Sequence, residues 1–435
     1  MNDDALFDIE PIPTDQGAAA DDRVPRYETV NREQIELVPT DLESLLPGGH
    51  AARLVWRFVD GLDLRAFYRT IKACEGGVGR SPIDPKILIA LWLYATIDGV
   101  GSARELDRLC YRHDAYRWIR GGVSVNYHTL SDFRVAHQAA LDDLLTQSIA
   151  VLLRNARLTL ARVAQDGTRV RAHASLKSFH RRPTLEKALR VARQQVERTA
   201  RQPSEPPTRQ AAAQARAARE QVEHVEAALA EMPAVEAVKA RNNSKSAPRV
   251  STTDAEARVM RFADGGFRPG YNVQLATDAD ARAIVGVTVT NVGSDQGQLP
   301  PMLDQIERRT GRRPEAVLAD GGFVTTETVT GTDQRGTTLY APVMQPKSTR
   351  NPSQPCEGDA PAVAAWRTRM ATDDAKALYK TRAPLAEGIN ADACHHRTLR
   401  RAAVRGLAKV QTCALWVALA INVLRVMEIV PHEMT

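Results

Sequence analysis

The chain predicts a mixed α/β domain built on a five-stranded sheet, preceded by an all-helical domain and carrying a helical hairpin after its first strand. Three observations carry that expectation. Apolar residues repeat at three and four along most of residues 41–156, the period of helices packed on one another. Near Leu158 the period becomes two, and strand-like runs then alternate with helical ones as far as residue 343. Between the first strand signal and the second lie residues 180–248, whose apolar positions again step by three and four.

At 435 residues the chain has room for two or three domains and a large core. Its charged and apolar fractions, 25% and 43%, set it apart from disordered, fibrous and membrane classes. The net charge of +6 is small for this length, so its distribution carries more information. Residues 1–40 hold ten acids against three Lys/Arg, residues 169–201 ten Lys/Arg against two acids, and residues 393–427 six basic residues and no acid. Basic segments apart from an acidic tail fit a polyanion such as nucleic acid, or equally a set of solvated helix faces. Cys74, Cys110, Cys356, Cys394 and Cys413 are scattered and form no Cys-x-x-Cys pair, so neither a disulfide framework nor a zinc ribbon is indicated. The most apolar runs, 87–97 and 413–424, are shorter than the roughly 20 residues of a spanning helix, and no signal-type apolar core opens the chain. A cytoplasmic protein with no membrane partner is expected.

In chain order, residues 1–40 read as an acidic disordered tail. Residues 41–156 form the helical domain. Leu54, Val55, Phe58, Val59 and Leu62 mark its first helix, Asp84-Pro85 caps and opens an apolar second one, and Ser102-Ala103-Arg104-Glu105 is a capping box for a third. Gly121-Gly122 breaks the pattern before a helix beyond Asn126-Tyr127-His128. The short helices around that break carry Arg104, Arg108, Arg112, Arg117, Arg120 and Arg134, which fit a helix-turn-helix reader of DNA and equally a plain bundle with solvated arginines. A long helix over 141–155 leads to the first strand, in 157–179. Residues 180–248 read as a basic coiled hairpin whose arms meet at Pro203, Pro206 and Pro207. The remainder, 249–435, supplies a β-hairpin (271–275 and 284–289), a helix over 298–309, a strand over 314–319, a helix over 326–334, a strand over 338–343, and then helices.

Candidate chemistry gathers on three acids. Asp166 lies within the first strand, in Gln165-Asp166-Gly167-Thr168. Taken alone, an aspartate beside a glycine reads first as a turn residue. Asp320, however, ends the fourth strand before Gly321-Gly322-Phe323, and Glu387 lies on the helical segment after the fifth. A right-handed crossover places the first and fourth strands side by side. Two carboxylates there and a third from a helix suit a pair of Mg²⁺ ions about 4 Å apart and in-line attack on a phosphodiester. Asp254, Asp264, Asp278 and Asp295 sit in loops rich in Gly, Ser or Thr and read as turn residues, and Glu327 as a solvated one.

Taken together, several motifs resemble bacterial insertion-sequence transposases of the DDE class, the group numbered eleven-eighty-two, related to the IS-four and IS-five types. They are Gly99-Val100-Gly101-Ser102-Ala103-Arg104-Glu105-Leu106, Asn126-Tyr127-His128-Thr129-Leu130-Ser131-Asp132-Phe133-Arg134, Gln165-Asp166-Gly167-Thr168, Asp264-Gly265-Gly266-Phe267-Arg268-Pro269-Gly270-Tyr271-Asn272 and Ser294-Asp295-Gln296-Gly297-Gln298. Asp320-Gly321-Gly322-Phe323, Trp366-Arg367-Thr368-Arg369-Met370 and Tyr379-Lys380-Thr381-Arg382 followed by Glu387 complete the set. The resemblance implies an RNase H-like catalytic fold in which Asp166, Asp320 and Glu387 bind Mg²⁺ or Mn²⁺, two ions in all. It implies double-stranded DNA as partner, both terminal inverted repeats and target, with a homodimer at work on it near the bacterial nucleoid. Related transposases carry a tyrosine, two residues, an arginine, three residues, the glutamate, six residues and a lysine. This chain has four residues between Arg382 and Glu387, and Cys394 where the lysine would fall. Arg397 and Arg400 are expected to replace that lysine. Tyr379, Arg169 and Arg171 join them as DNA contacts, and Arg382 is expected to bind phosphate or orient the carboxylate. A nuclease that cuts without joining, and a relative that only binds DNA, are the competing readings.

Overall fold

The computed structural model describes residue 33 and residues 41–73, 81–201, 208–344 and 351–429. The expected acidic tail, Glu33 aside, and the proline bend at 203–207 therefore lie outside the described residues. The described residues from Leu42 onward form one compact unit.

This unit opens with helices whose ends follow their capping residues. Asp84 accepts the Lys86 amide ahead of Pro85–Ile97, Ser102 that of Glu105 ahead of Ala103–Arg112, and Asn126 that of Thr129 ahead of Tyr127–Ala136. Gly121 closes Asp114–Arg120 at φ 56°, a left-handed cap that favours glycine. Pro85–Ile97 buries every residue from Leu88 to Thr96, as its all-round apolar surface requires. Gln138–Arg154 then delivers the chain to the sheet.

The five principal strands are β1 (Arg162–Arg171), β2 (Phe267–Asp278), β3 (Ile284–Thr290), β4 (Ala316–Leu318) and β5 (Thr338–Tyr340). Their order is β3-β2-β1-β4-β5, with β1, β4 and β5 mutually parallel and the other pairs antiparallel. The mixed five-stranded sheet after a helical region is as the periodicity predicts, and β1 and β4 lie side by side. Short strands lie outside the expected set: Arg258–Arg261 pairs with the first residues of β2, and Phe179–His180 pairs with Val250–Ser251. Between β1 and β2, Arg182–Arg201 and Arg209–Arg241 pack together around Leu185, Val225, Ala228 and Met232. The second of these runs straight through Pro233, beyond the arm its apolar spacing marked.

A single apolar core runs from Ala51–Asp60 through Pro85–Ile97 and Gln138–Arg154 to β1, β2, β3 and the last helix, Leu407–Met427. That helix corrects one expectation. It is 21 residues long and apolar enough to cross a membrane by length and composition, whereas its most apolar run had looked too short. In this molecule 67% of its apolar window is buried, against the sheet and the N-terminal helices. Arg134 is also corrected: it is 8% exposed and packs over Trp92, so it is not the solvated helix-face arginine that its position suggests.

Candidate active site

The register of β1 against β4 builds the site. Ala164 pairs with Leu318, so Asp166 on β1 and Asp320, two residues past the end of β4, come close enough for their charges to interact. Ala164 and Leu318 themselves pack against Leu385 and Ala386, which seats the helix Arg382–Ala391 across the two strands. This helix begins afresh after Asp373–Lys380, with Pro384 in its first turn, where its missing N–H costs nothing. Two of its side chains turn to Asp166. Asn390 Nδ2 donates to Asp166 Oδ2 at 3.1 Å, and Arg382 Nη1 stands 3.6 Å from the same oxygen. Tyr379 lies within hydrogen-bonding reach of Arg382.

Burial lifts the Asp166 carboxyl above the ordinary carboxylate range; Asp320 and Asp295 raise it further, while Arg382 and the Gly167 amide pull the other way. Asp320 Oδ1 accepts the Gly322 amide at 2.7 Å, opening the short turn Gly321–Phe323. Glu387 rides the same helix as Asn390, with its side chain exposed and no polar partner among the described residues. Among the described residues no three His, Cys, Asp or Glu side chains are gathered closely enough to hold a metal ion. The structure thus brings Asp166 and Asp320 together and leaves Glu387 exposed on the helix that crosses them.

The donor chemistry at the site nevertheless fits a hard cation. Two carboxylates converge, Asp320 adding to the cost of charge on Asp166, and the Oδ1 of Asn390 is buried with no hydrogen-bond partner. An orphaned amide oxygen beside two carboxylates is the kind of oxygen ligand that Mg²⁺ takes.

Sequence reasoning missed Asp295. It is no free turn residue: its side chain is 14% exposed and accepts from Arg169, Asn272 and Gln274 at 2.6–3.2 Å. Gly167 exists for this cluster, since a Cβ there would stand 2.4 Å from both Asp295 Oδ1 and Gln274 Nε2. A Cβ on Gly322 would lie 3.0 Å from Asp320 and 3.9 Å from Asp295, so the fourth acid belongs to the same neighbourhood. Asp254 and Asp278 are likewise interior, bonded to Tyr271 and to the Leu160 amide. Only Asp264, paired with Arg268, is the exposed turn residue expected.

The basic residues separate into two groups. Arg169 is committed within the chain to Asp295, Asn272 and the Gly293 carbonyl, and Arg397 to the Ile97 carbonyl and Asp392, so neither guanidinium is free for DNA. Cys394 is half-buried, 3.6 Å from the Thr168 hydroxyl. Arg171 and Arg400 are exposed and adjacent, the Arg171 amide donating to the Arg400 carbonyl.

Comparison with known proteins agrees with this geometry. A family described as Transposase domain (DUF772) matches residues 40–136, and one described as Transposase DDE domain matches residues 357–427, which include Arg382, Glu387 and Asn390. No curated protein and no solved structure matches the chain. The two matches, one on the N-terminal helices and one on the segment that covers the paired aspartates, indicate an insertion-sequence transposase of the DDE class.

Proposed function

We propose that this chain binds the terminal inverted repeats of an insertion sequence, cuts the strands at its ends by metal-dependent hydrolysis and joins the freed ends to target DNA. The observation that carries the reading is Asp166 on β1 beside Asp320, just past the end of the parallel β4, under the helix that bears Glu387. The strand order β3-β2-β1-β4-β5, with its antiparallel and parallel halves, supports an RNase H-like fold. Asp166, Asp320 and the Asn390 amide oxygen would hold Mg²⁺ or Mn²⁺, with Glu387 as the third carboxylate. When bound, a pair of such ions activates the attacking oxygen and stabilises the leaving one. Arg382, held against Asp166, offsets part of the burial that disfavours its charge and helps aim the carboxylate before DNA arrives. Arg171 and Arg400 offer exposed charge for the phosphates flanking the cut. The helical region 41–156 recognises the ends, and a homodimer brings two ends together.

The test uses a duplex carrying one end of the element and a supercoiled target plasmid. Asp166→Asn and Glu387→Gln should each abolish Mg²⁺-dependent cleavage. Full activity in either would remove that residue from the site. Cleaved ends that never become joined to plasmid would leave a nuclease.

A further inference from the structure

A cavity of about 440 Å³ lies where the N-terminal helices meet the segment after Glu387, lined by none of the three acids above. Its charge is lopsided, with Arg104, Arg134 and Arg401 against a single acid, Asp132. Arg104 rests on the Tyr127 ring at 5.2 Å, and neither it nor Arg401 has a side-chain hydrogen bond or ion pair among the described residues. Arg134 is more telling. Although 8% exposed, it bonds the Gly101 carbonyl through Nη1 and leaves Nε with no acceptor. Its charge is therefore only partly compensated within the chain, at a wall of the cavity. The first turns of two ten-residue helices, Ala103–Arg112 and Tyr127–Ala136, also form part of the wall, and their free amides carry partial positive charge.

The cavity is placed on the same strand as the chemistry. Val170 lines it, four residues beyond Asp166 on β1, which is about 13 Å along a strand. At about 3.4 Å of rise per nucleotide, that is roughly four base pairs of B-form DNA. We infer that this cavity holds a backbone phosphate of the DNA strand entering the active site, roughly four base pairs from the bond that is cut. The inference rests on the transposase reading, and it gives the Asn126–Arg134 motif a task.

The test is the salt dependence of binding by the full chain to a duplex of the element's end. Arg104 and Arg401 are exposed, so Arg104→Ala/Arg401→Ala should keep the parent's melting temperature. Its slope of log affinity against log salt should be shallower by about one, the loss expected for one phosphate contact. Ser131→Trp fills the cavity without changing charge and should lower the slope equally; should it fail to fold, the arginine pair decides alone. An unchanged slope in a parent that binds and cuts DNA would overturn the phosphate site and leave the transposase reading intact. A slope lowered by the arginine variant but not by a folded Ser131→Trp would overturn it too, as long-range charge. Tight binding of inorganic phosphate or dAMP with no change in DNA slope would make this a free-anion site instead. A parent that binds no duplex at all would remove the transposase reading itself.

Discussion

Asp166 carries a charge that its surroundings resist, and this has a thermodynamic consequence apart from catalysis. Its folded value is raised above the unfolded 3.8, so the folded chain holds the proton more tightly than the unfolded one. Stability from this group is therefore greatest below about pH 3.8 and is lost as pH rises through the raised folded value. Asp166→Asn removes that loss. The variant should melt higher than the parent at pH 7, the gap closing in acid, and Mg²⁺ should raise the parent's melting temperature but not the variant's. A variant that melts lower at pH 7 would mean that Arg382 outweighs burial. Gly167→Ala tests the other face of β1: a Cβ there would collide with Asp295 and Gln274, which predicts about 1–3 kcal/mol of lost stability in urea unfolding and weaker cleavage. Stability equal to the parent's would show that the cluster yields. Asp166 and Asp320 were legible in the sequence because each carboxylate follows an apolar strand and precedes glycine. Asp295 was not, since its own loop looks like a turn and its partners Arg169, Asn272 and Gln274 are brought to it only by pairing of β1 with β2. Arg169 and Arg397 misled for the same reason: a basic residue declares its charge locally but not its partner.

Elements were more legible than their edges. Capping residues placed the early helices, while Arg258–Arg261 escaped because arginines at both ends hide a four-residue strand. Pro384 stands between Arg382 and Glu387 without parting them: both lie on Arg382–Ala391, with the proline in its first turn. The outer edge of β3 shows what no periodicity could reveal. Side-chain amides occupy it where another strand would pair: Gln305 bonds Val287, Gln411 bonds Val287 and Val289, and Asn422 takes the Ile284 amide and returns a bond to its carbonyl. An unpaired strand edge is a template for aggregation, and these amides close it from the helices Leu299–Thr310 and Leu407–Met427. Asn422→Leu keeps the side-chain volume but strands both backbone groups of Ile284 inside the core. It should cost about 2 kcal/mol or more in urea unfolding and increase aggregation near the transition. A loss below about 0.5 kcal/mol would mean that water reaches that edge and repairs it.

At the scale of the whole molecule, the helical region and the sheet share one interior. Trp416 on the last helix donates its indole N–H to the Arg134 carbonyl at 3.0 Å, and Asn422 reaches Ser148 on Gln138–Arg154. Gly99, at φ 76°, lets its loop approach so closely that a Cβ would stand 3.1 Å from the His396 carbonyl oxygen. Pro85–Ile97 and Gln138–Arg154 pack on Leu407–Met427, more than 250 positions away in sequence. A change from helical to strand period near residue 158 marks a boundary in pattern, but packing decides whether it is a boundary in stability. Residues 41–156 expressed alone would bare those helix faces to water, an apolar patch of the kind that binds dye and self-associates. That fragment should therefore bind a hydrophobic dye and melt without a cooperative transition, whereas residues 42–429 should unfold in one step by circular dichroism and calorimetry alike. If the fragment instead melts cooperatively as a monomer and binds the element's end as tightly as the full chain, recognition is autonomous. If it does not, the terminal helix couples the grip on DNA to the strands that carry Asp166 and Asp320, and shortening the chain before Leu407 should abolish both together.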